Sequence, residues 1–225
     1  HRTASTSFQT YLRNNATALA EISVGSWGPY RLRKGMCYGV VPNPALGVGP
    51  QHFARAKGKI ALHLERSAQM GLDYLVVSEE NILGKMRHNF SSQSLYPAAG
   101  ERLARYVAAF DGSVKAIHLS LRCPSKYWTS ALSFCITRGV LVPREARIAA
   151  IAASARSWRD VITDLAAAAP NTAIFVSTFE QHASAPHRLL SYLLGFPAPH
   201  GKTLIWRNQR PTVPQLLNLP LGTEE

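Results

Sequence analysis

Two carboxylates stand side by side where the sequence leaves an apolar run. In DYLVVSE (73–79) followed by Glu80, Glu79 and Glu80 are the only adjacent acidic residues before the last two of the chain. A carboxylate at the end of a buried strand can take a proton from a reacting hydroxyl, and a like-charged neighbour raises its pKa toward neutrality. Strand alternation puts Val76, Ser78 and Glu80 on one side and Val77 and Glu79 on the other, so one of the pair faces a common site. We assign that role to Glu80. The ordinary alternative has one glutamate paired with an arginine and the other in water. His88, eight residues beyond Glu80, is a second candidate base, whereas His118 lies within an apolar run and reads as a core histidine.

The basic counterpart lies at the start of the chain. HRTASTS (1–7) places Arg2 with Thr3, Ala4, Ser5, Thr6 and Ser7 at the mouth of an amphipathic helical pattern. Ser and Thr in such a position can cap the helix through their oxygens. The same free N–H groups, with the positive end of the helix dipole and a cation beside them, also suit a phosphate or sulfate. A second cation, Arg122, ends the run SVKAIHLSLR (113–122), and Ser130 follows eight positions later. With about 3.6 residues per turn, a helix begun near Pro124 carries Ser130 back toward the strand end after roughly two turns. Glu180 occupies the corresponding exit of TAIFVST (172–178).

The 225 residues carry 25 Lys+Arg against 13 Asp+Glu, a net charge of +12 that favours an anionic partner. RLRK (31–34) is the one dense basic cluster, and RNA-binding signatures and paired zinc motifs are absent, which disfavours nucleic acid. No apolar run reaches the ~18 residues of a membrane span, and no basic-then-apolar signal segment opens the sequence. Cys37, Cys123 and Cys135 form no C-x-x-C pair, which points to a reducing, cytoplasmic setting rather than a disulfide framework. The eight histidines show no H-E-x-x-H or comparable clustering, so no metal is expected.

The elements that must position these groups alternate. Apolar, β-branched runs at 73–79, 113–122 and 172–178 read as buried parallel strands with both faces covered. Helical patterns at 51–71, 99–112, 145–169 and 186–195 lie between and after them. The expectation is an α/β fold: a three-layer, mostly parallel central sheet with helices on both faces, in one domain spanning 1–225. In such a sheet ligands bind outside the C-terminal strand ends, where the candidates fall. Residues 24–50, rich in Gly and Pro, read as a long loop with a short strand at 37–41. Its Trp27, Tyr30 and RLRK could shape an acceptor pocket or simply pack the loop onto the core. The Pro-punctuated tail, 208–225, reads as irregular.

Together these residues resemble the sulfotransferases that use 3′-phosphoadenosine 5′-phosphosulfate (PAPS), and more narrowly their bacterial branch. That family holds the 5′-phosphosulfate in a P-loop-like strand–loop–helix, roughly P-K-x-G-T-T-x. HRTASTS is similar, with His1 at the proline position, Arg2 at the lysine position, Ala4 at the glycine position, and Ser5 and Thr6 as the hydroxylated pair. The family grips the 3′-phosphate with a strand-end arginine and a serine eight positions later, a spacing that Arg122 and Ser130 match. LVVSEEN, LYPAAGERLARY, SLRCPSKYWTSALSF and SWRDVITDL extend the likeness more loosely over most of the chain.

The resemblance implies a P-loop NTPase-like sulfotransferase fold, with a further strand just before His1. It also implies metal-free sulfuryl transfer from PAPS to a hydroxyl, carbohydrate or amine acceptor. Arg2 would steady the leaving phosphate, residues 3–7 would cradle it, and Glu80 or Glu79 would serve as base. Two departures bear on the loop: arginine is longer, planar and forked compared with lysine, and alanine lacks glycine's freedom in φ. Two other classes stay open. One is a P-loop kinase or other nucleotide-binding enzyme, although the full G-x-x-x-x-G-K-[ST] string is absent. The other is a sulfotransferase fold kept as a binding module without turnover.

Overall fold

The computed structural model describes residues 1–201, 206 and 209–218. Helix α1 (Ser5–Asn14) follows a tight four-residue loop, and α2 (Ala16–Ala20) follows it after one residue. Strand β1 (Val24–Trp27) leads through the short α3 (Pro29–Arg31) into a kinked turn at Leu32–Met36, where Lys34 and Gly35 leave the helical backbone. Next come α4 (Pro50–Gln69), β2 (Tyr74–Val77), a 3-10 turn (Glu80–Ile82), α5 (Met86–Ser91) and α6 (Ala99–Ala109). Strand β3 (Ala116–Leu121) is followed by α7 (Pro124–Ile136), α8 (Glu145–Ala152) and α9 (Trp158–Ala168). The described order closes with β4 (Ala173–Thr178), α10 (Phe179–His182), α11 (Pro186–Leu194) and α12 (Val213–Leu217).

Apolar spacing fixes which face of each element turns inward. Along α4, Phe53, Ala56, Ile60 and Leu64 recur every three or four residues and pack with Trp27, Leu75 and Val77 on one face of β1–β2. Val24 and Val76 point to the other face, against Tyr11 and Leu12 of α1 and Leu190 of α11. Leu119 of β3, with Ile117 and Leu121 beside it, packs among α6, α7 and α9 around the fully buried Tyr96 and Tyr127. Gly100 allows α6 and α9 to touch, since a Cβ there would lie 3.0 Å from the carbonyl oxygen of Asp164.

The fold is therefore mixed α/β, with parallel pairing and helices on both faces. Its sheet differs from the expectation. Instead of one central sheet, the described residues form two two-stranded parallel sheets, β1 with β2 and β3 with β4. The registers run from Val24↔Tyr74 to Trp27↔Val77 and from Ala116↔Ala173 to Leu121↔Thr178. The residues of β2 and β3 are mostly half-buried. The first residues of the chain bridge the two pairs. Arg122 Nη1 donates to the Arg2 carbonyl at 2.8 Å, and Gln9 Nε2 reaches the Ser78 carbonyl at 3.4 Å.

Other elements also depart from the sequence pattern. Residues 24–27, placed in a loop, form β1; the glycine that hid the strand lets the Leu72 side chain approach, since a Cβ on Gly25 would lie 2.6 Å from Leu72 Cδ1. The strand expected at 37–41 is a turn, and nearby pairing is confined to a bridge between Asn43 and Val48. The helix expected over 145–169 is two, α8 and α9. The break lies at Ser157, whose extended backbone lets its N–H donate to Asp160 Oδ2 at 2.7 Å and start α9 afresh. The tail 208–225 is not wholly irregular, for it contains α12; residues 208 and 219–225 lie outside the described residues.

Candidate functional site

The loop before α1 has an unusual backbone. Arg2 (φ 59°) and Ala4 (φ 60°) both adopt the left-handed region, which non-glycine residues enter at a cost of about 1–2 kcal/mol each. Ala4 is itself the N-cap of α1, and no side chain caps the helix. Ser5, Thr6 and Ser7 already lie inside its first turn, so the capping role open to them in the sequence is not the one they fill. A loop with alternate left-handed residues that opens a ten-residue helix is a backbone of the anion-binding kind.

Arg2, Glu80, Arg122 and Ser130 line one cavity of about 370 Å³, together with Ala4 of the loop and Ser5 and Thr6 of the first turn of α1. Arg2 Nε donates to Ser130 Oγ at 2.9 Å, and Ser130 is fully buried on α7. Arg122 is positioned from behind: Trp158 Nε1 donates to its carbonyl at 2.8 Å, and its guanidinium lies 4.4 Å from the Phe179 ring centre. Its Nε is buried and has no hydrogen-bond partner among the described residues. Burial and the neighbouring Arg122 and Arg138 lower the Arg2 pKa to about 10. Burial also lowers that of Arg122, with Arg210 adding to the effect and Glu180 opposing it.

The carboxylates are organised by residues that spacing alone did not reveal. Arg33, from the kinked turn, donates through Nε and Nη2 to both oxygens of Glu79 at 2.8 and 2.7 Å. The same Nη2 lies 2.8 Å from Glu80 Oε1, while Gln9 Nε2 donates to Glu80 Oε2 at 2.9 Å. Arg102 fixes the turn that carries both glutamates by donating to the carbonyls of Asn81 and Ile82 at 2.7 and 3.0 Å. Only Glu80 of the two lines the cavity; Glu79 accepts from Asn81 N–H at 2.8 Å and closes the 3-10 turn.

One expectation is reversed here. Burial pushes the Glu80 carboxyl upward, but hydrogen bonds from Gln9 and Arg33 outweigh it, and the pKa falls below its ordinary value. The repulsion expected from Glu79 is cancelled by the arginine shared between them. Glu80 is thus an anion held in place, not a carboxyl poised near neutrality.

The remaining candidates separate cleanly. Thr3, Ser7, Glu79, His88 and Glu180 do not line the cavity. His118 is half-buried with its Nε2 2.7 Å from Ser177 Oγ, as a core histidine should be. Trp27 belongs to the core, whereas Tyr30 is exposed and stacks with Lys34. From RLRK, Arg33 alone reaches the cavity. The residues missed in the sequence are Arg33 as a carboxylate clamp, Gln9 and Asn81. Asn81 donates to His1 Nε2 at 3.1 Å and accepts from Arg33 Nη2 at 2.8 Å. Gln9 lies one helical turn beyond Ser5, a spacing that could have drawn it toward the same site.

The arrangement can hold an anion against Arg2, Arg122 and Ser130 with a carboxylate across the cavity. Among the described residues no group of three or more His, Cys, Asp or Glu could hold a metal ion, and no helix is long and apolar enough to cross a membrane. No protein family, curated protein or solved structure matches the chain significantly.

Proposed function

We propose that this chain has a P-loop sulfotransferase-type fold and transfers a sulfuryl group from PAPS to a hydroxyl or amine acceptor. One observation carries the reading: Arg2 and Arg122 are brought together at the mouth of α1, in a cavity that also presents Glu80, where burial lowers the proton affinity of both and the Arg122 charge lowers that of Arg2 further. Gathering guanidinium groups in a partly dry cleft is unfavourable by itself and becomes favourable with an anion among them. A ligand with phosphates at two positions meets both kinds of support, the loop of α1 and the Arg122–Ser130 pair. The parallel strands and the left-handed loop favour the same reading.

In this account PAPS supplies an activated sulfuryl group, and the protein supplies position and charge. Arg2 and the N–H groups at the start of α1 hold the 5′ end, and Arg122 with Ser130 holds the 3′-phosphate. As the acceptor oxygen bonds to sulfur and the sulfur–oxygen bond to the phosphate breaks, Glu80 takes the acceptor proton. A loose transition state asks little of its base, so an ionised, well-oriented carboxylate suffices even with a low pKa. Arg33 and Gln9 fix its orientation.

The binding-module reading draws on the same carboxylate, because both Glu80 oxygens are already engaged. Incubation with ³⁵S-labelled PAPS and a panel of hydroxyl acceptors separates the readings. Transfer of label, lost in Glu80→Gln and Arg122→Ala, supports the enzyme. Bisphosphate binding without transfer to any acceptor supports the module, and magnesium-dependent turnover of ATP supports a kinase.

A further inference from the structure

The arginines of the cavity continue past its wall. Arg122 contacts Arg2 through the Arg2 carbonyl at 2.8 Å. The Arg2 guanidinium lies over the Phe134 ring at 4.8 Å, and that of Arg138 lies over the same ring at 3.5 Å. Arg2 and Phe134 line the cavity, whereas Arg138 is exposed and stands outside it. Arg87, exposed on α5, donates to the Arg138 carbonyl at 2.7 Å. Arg122, Arg2, Arg138 and Arg87 thus stand in file, each linked to the next, from the end of β3 to the surface formed by α5 and α7.

The two segments that carry α5 and α7 bring no acid to that surface. Segments 81–100 and 112–144, which contain α5 and α7, hold no Asp or Glu. The two helices pack against each other, and Lys85 and Lys126 add two further exposed cations. Arg87 and Arg138 direct donors to main-chain carbonyls at the C-terminal end of α7, which accounts for their placement as helix-end cations. It does not account for Lys126, which occupies the first turn of α7, the end where the helix dipole disfavours a cation. Nor does helix capping require both segments to lack carboxylates. An extended anion lying across the face accounts for both.

Resting on the proposed PAPS chemistry, we infer that the acceptor is an acidic polysaccharide. Its carboxylates or sulfates lie on Arg138 and Arg87, and one of its hydroxyls turns past Phe134 toward Glu80. A nucleic acid fits less well. Single strands are held by stacking on exposed rings as well as by charge, and none of the large exposed apolar side chains lies on α5 or α7.

The test is fluorescence anisotropy of a labelled heparin decasaccharide at 50 and 200 mM salt, with a neutral dextran oligosaccharide for comparison. Wild-type protein should bind heparin and not dextran, and the affinity should fall at least tenfold at the higher salt. The double variant R87Q/R138Q should weaken binding at least tenfold and flatten the salt dependence. R55Q/R66Q on α4 makes the same change in net charge and should alter affinity less than twofold. If R87Q/R138Q unfolds at a lower temperature than wild type, K126Q serves instead, with an expected three- to fivefold loss. Equal weakening by both double variants, or no loss in R87Q/R138Q, overturns the inference. Oligo(dT) displacing heparin more effectively than unlabelled heparin does also overturns it, in favour of a nucleic acid. Titration of wild-type protein with adenosine 3′,5′-bisphosphate separates the two levels. Bisphosphate binding without heparin binding sinks the acceptor alone, and absence of bisphosphate binding sinks the donor reading.

Discussion

Arg2 Nε and Ser130 Oγ lie 2.9 Å apart although 128 positions separate them in the sequence. This bond ties the loop before α1 to the second turn of α7 and holds the Arg2 guanidinium in the cavity. Ser130→Ala removes the acceptor without changing the packing volume much. The expected cost is about 1–3 kcal/mol of stability, with a roughly tenfold loss of bisphosphate affinity. Urea denaturation and calorimetry measure the two separately, and unchanged values in both would show that the bond positions nothing.

Ala4 spends conformational energy to hold its place at the mouth of α1, with φ 60° and ψ 19°. Ala4→Gly relieves that strain at the cost of a more flexible unfolded chain. The net expectation is a gain of about 0.5–1 kcal/mol in thermal or urea unfolding. A loss of stability would mean that the methyl group contributes contacts worth more than the strain.

Arg33 neutralises two carboxylates, and the Glu79 side chain is only 3% exposed. Arg33→Gln leaves that buried charge with far weaker support, at an expected cost of about 3 kcal/mol. Glu80 responds as well. Its folded pKa is depressed below the ordinary value of 4.5, so its stabilising contribution is present above that pH and is lost as pH falls through the folded value. In Arg33→Gln the Glu80 carboxyl should titrate at higher pH than in wild type, which carboxyl-detected NMR measures directly. An unmoved Glu80 titration would assign the depression to Gln9 and the backbone hydrogen bond to Glu80.

His118 gives a second pH dependence, away from the cavity. Burial, with His182 adding to it, lowers its pKa from 6.5 to about 4. The folded state therefore binds fewer protons than the unfolded one between those values. Stability is complete above about pH 6.5 and declines toward pH 4, by up to about 3 kcal/mol from this group. His118→Gln keeps a side chain able to meet Ser177 and should flatten the decline, as read from urea midpoints at pH 7.5 and 4.5. Parallel curves for the two proteins would contradict it.

The sequence made some of this legible for physical reasons and concealed the rest. Strand-end residues were readable because apolar runs stop abruptly at Glu79 and Arg122, and helical periodicity brought Ser130 back toward Arg122. β1 was hidden because Gly25 weakens a four-residue strand pattern while serving a close approach to Leu72. The break between α8 and α9 was hidden because alanine-rich sequence continues through it, and only the Ser157–Asp160 cap marks the restart. Arg33 was the deepest omission. Its role depends on a kinked turn that folds a distant loop onto the glutamates, and local pattern carries no trace of such a contact. The direction of the Glu80 shift followed from that omission.

The central claim is that Arg2, Arg122 and Ser130 form a site for a nucleotide with phosphates at both the 3′ and 5′ positions. Calorimetric titration with adenosine 3′,5′-bisphosphate, alongside ATP and AMP, tests it most directly. The account predicts that the bisphosphate binds at least tenfold more tightly than either rival and that Arg122→Ala removes the preference. Equal binding of all three, or binding of none, would contradict it.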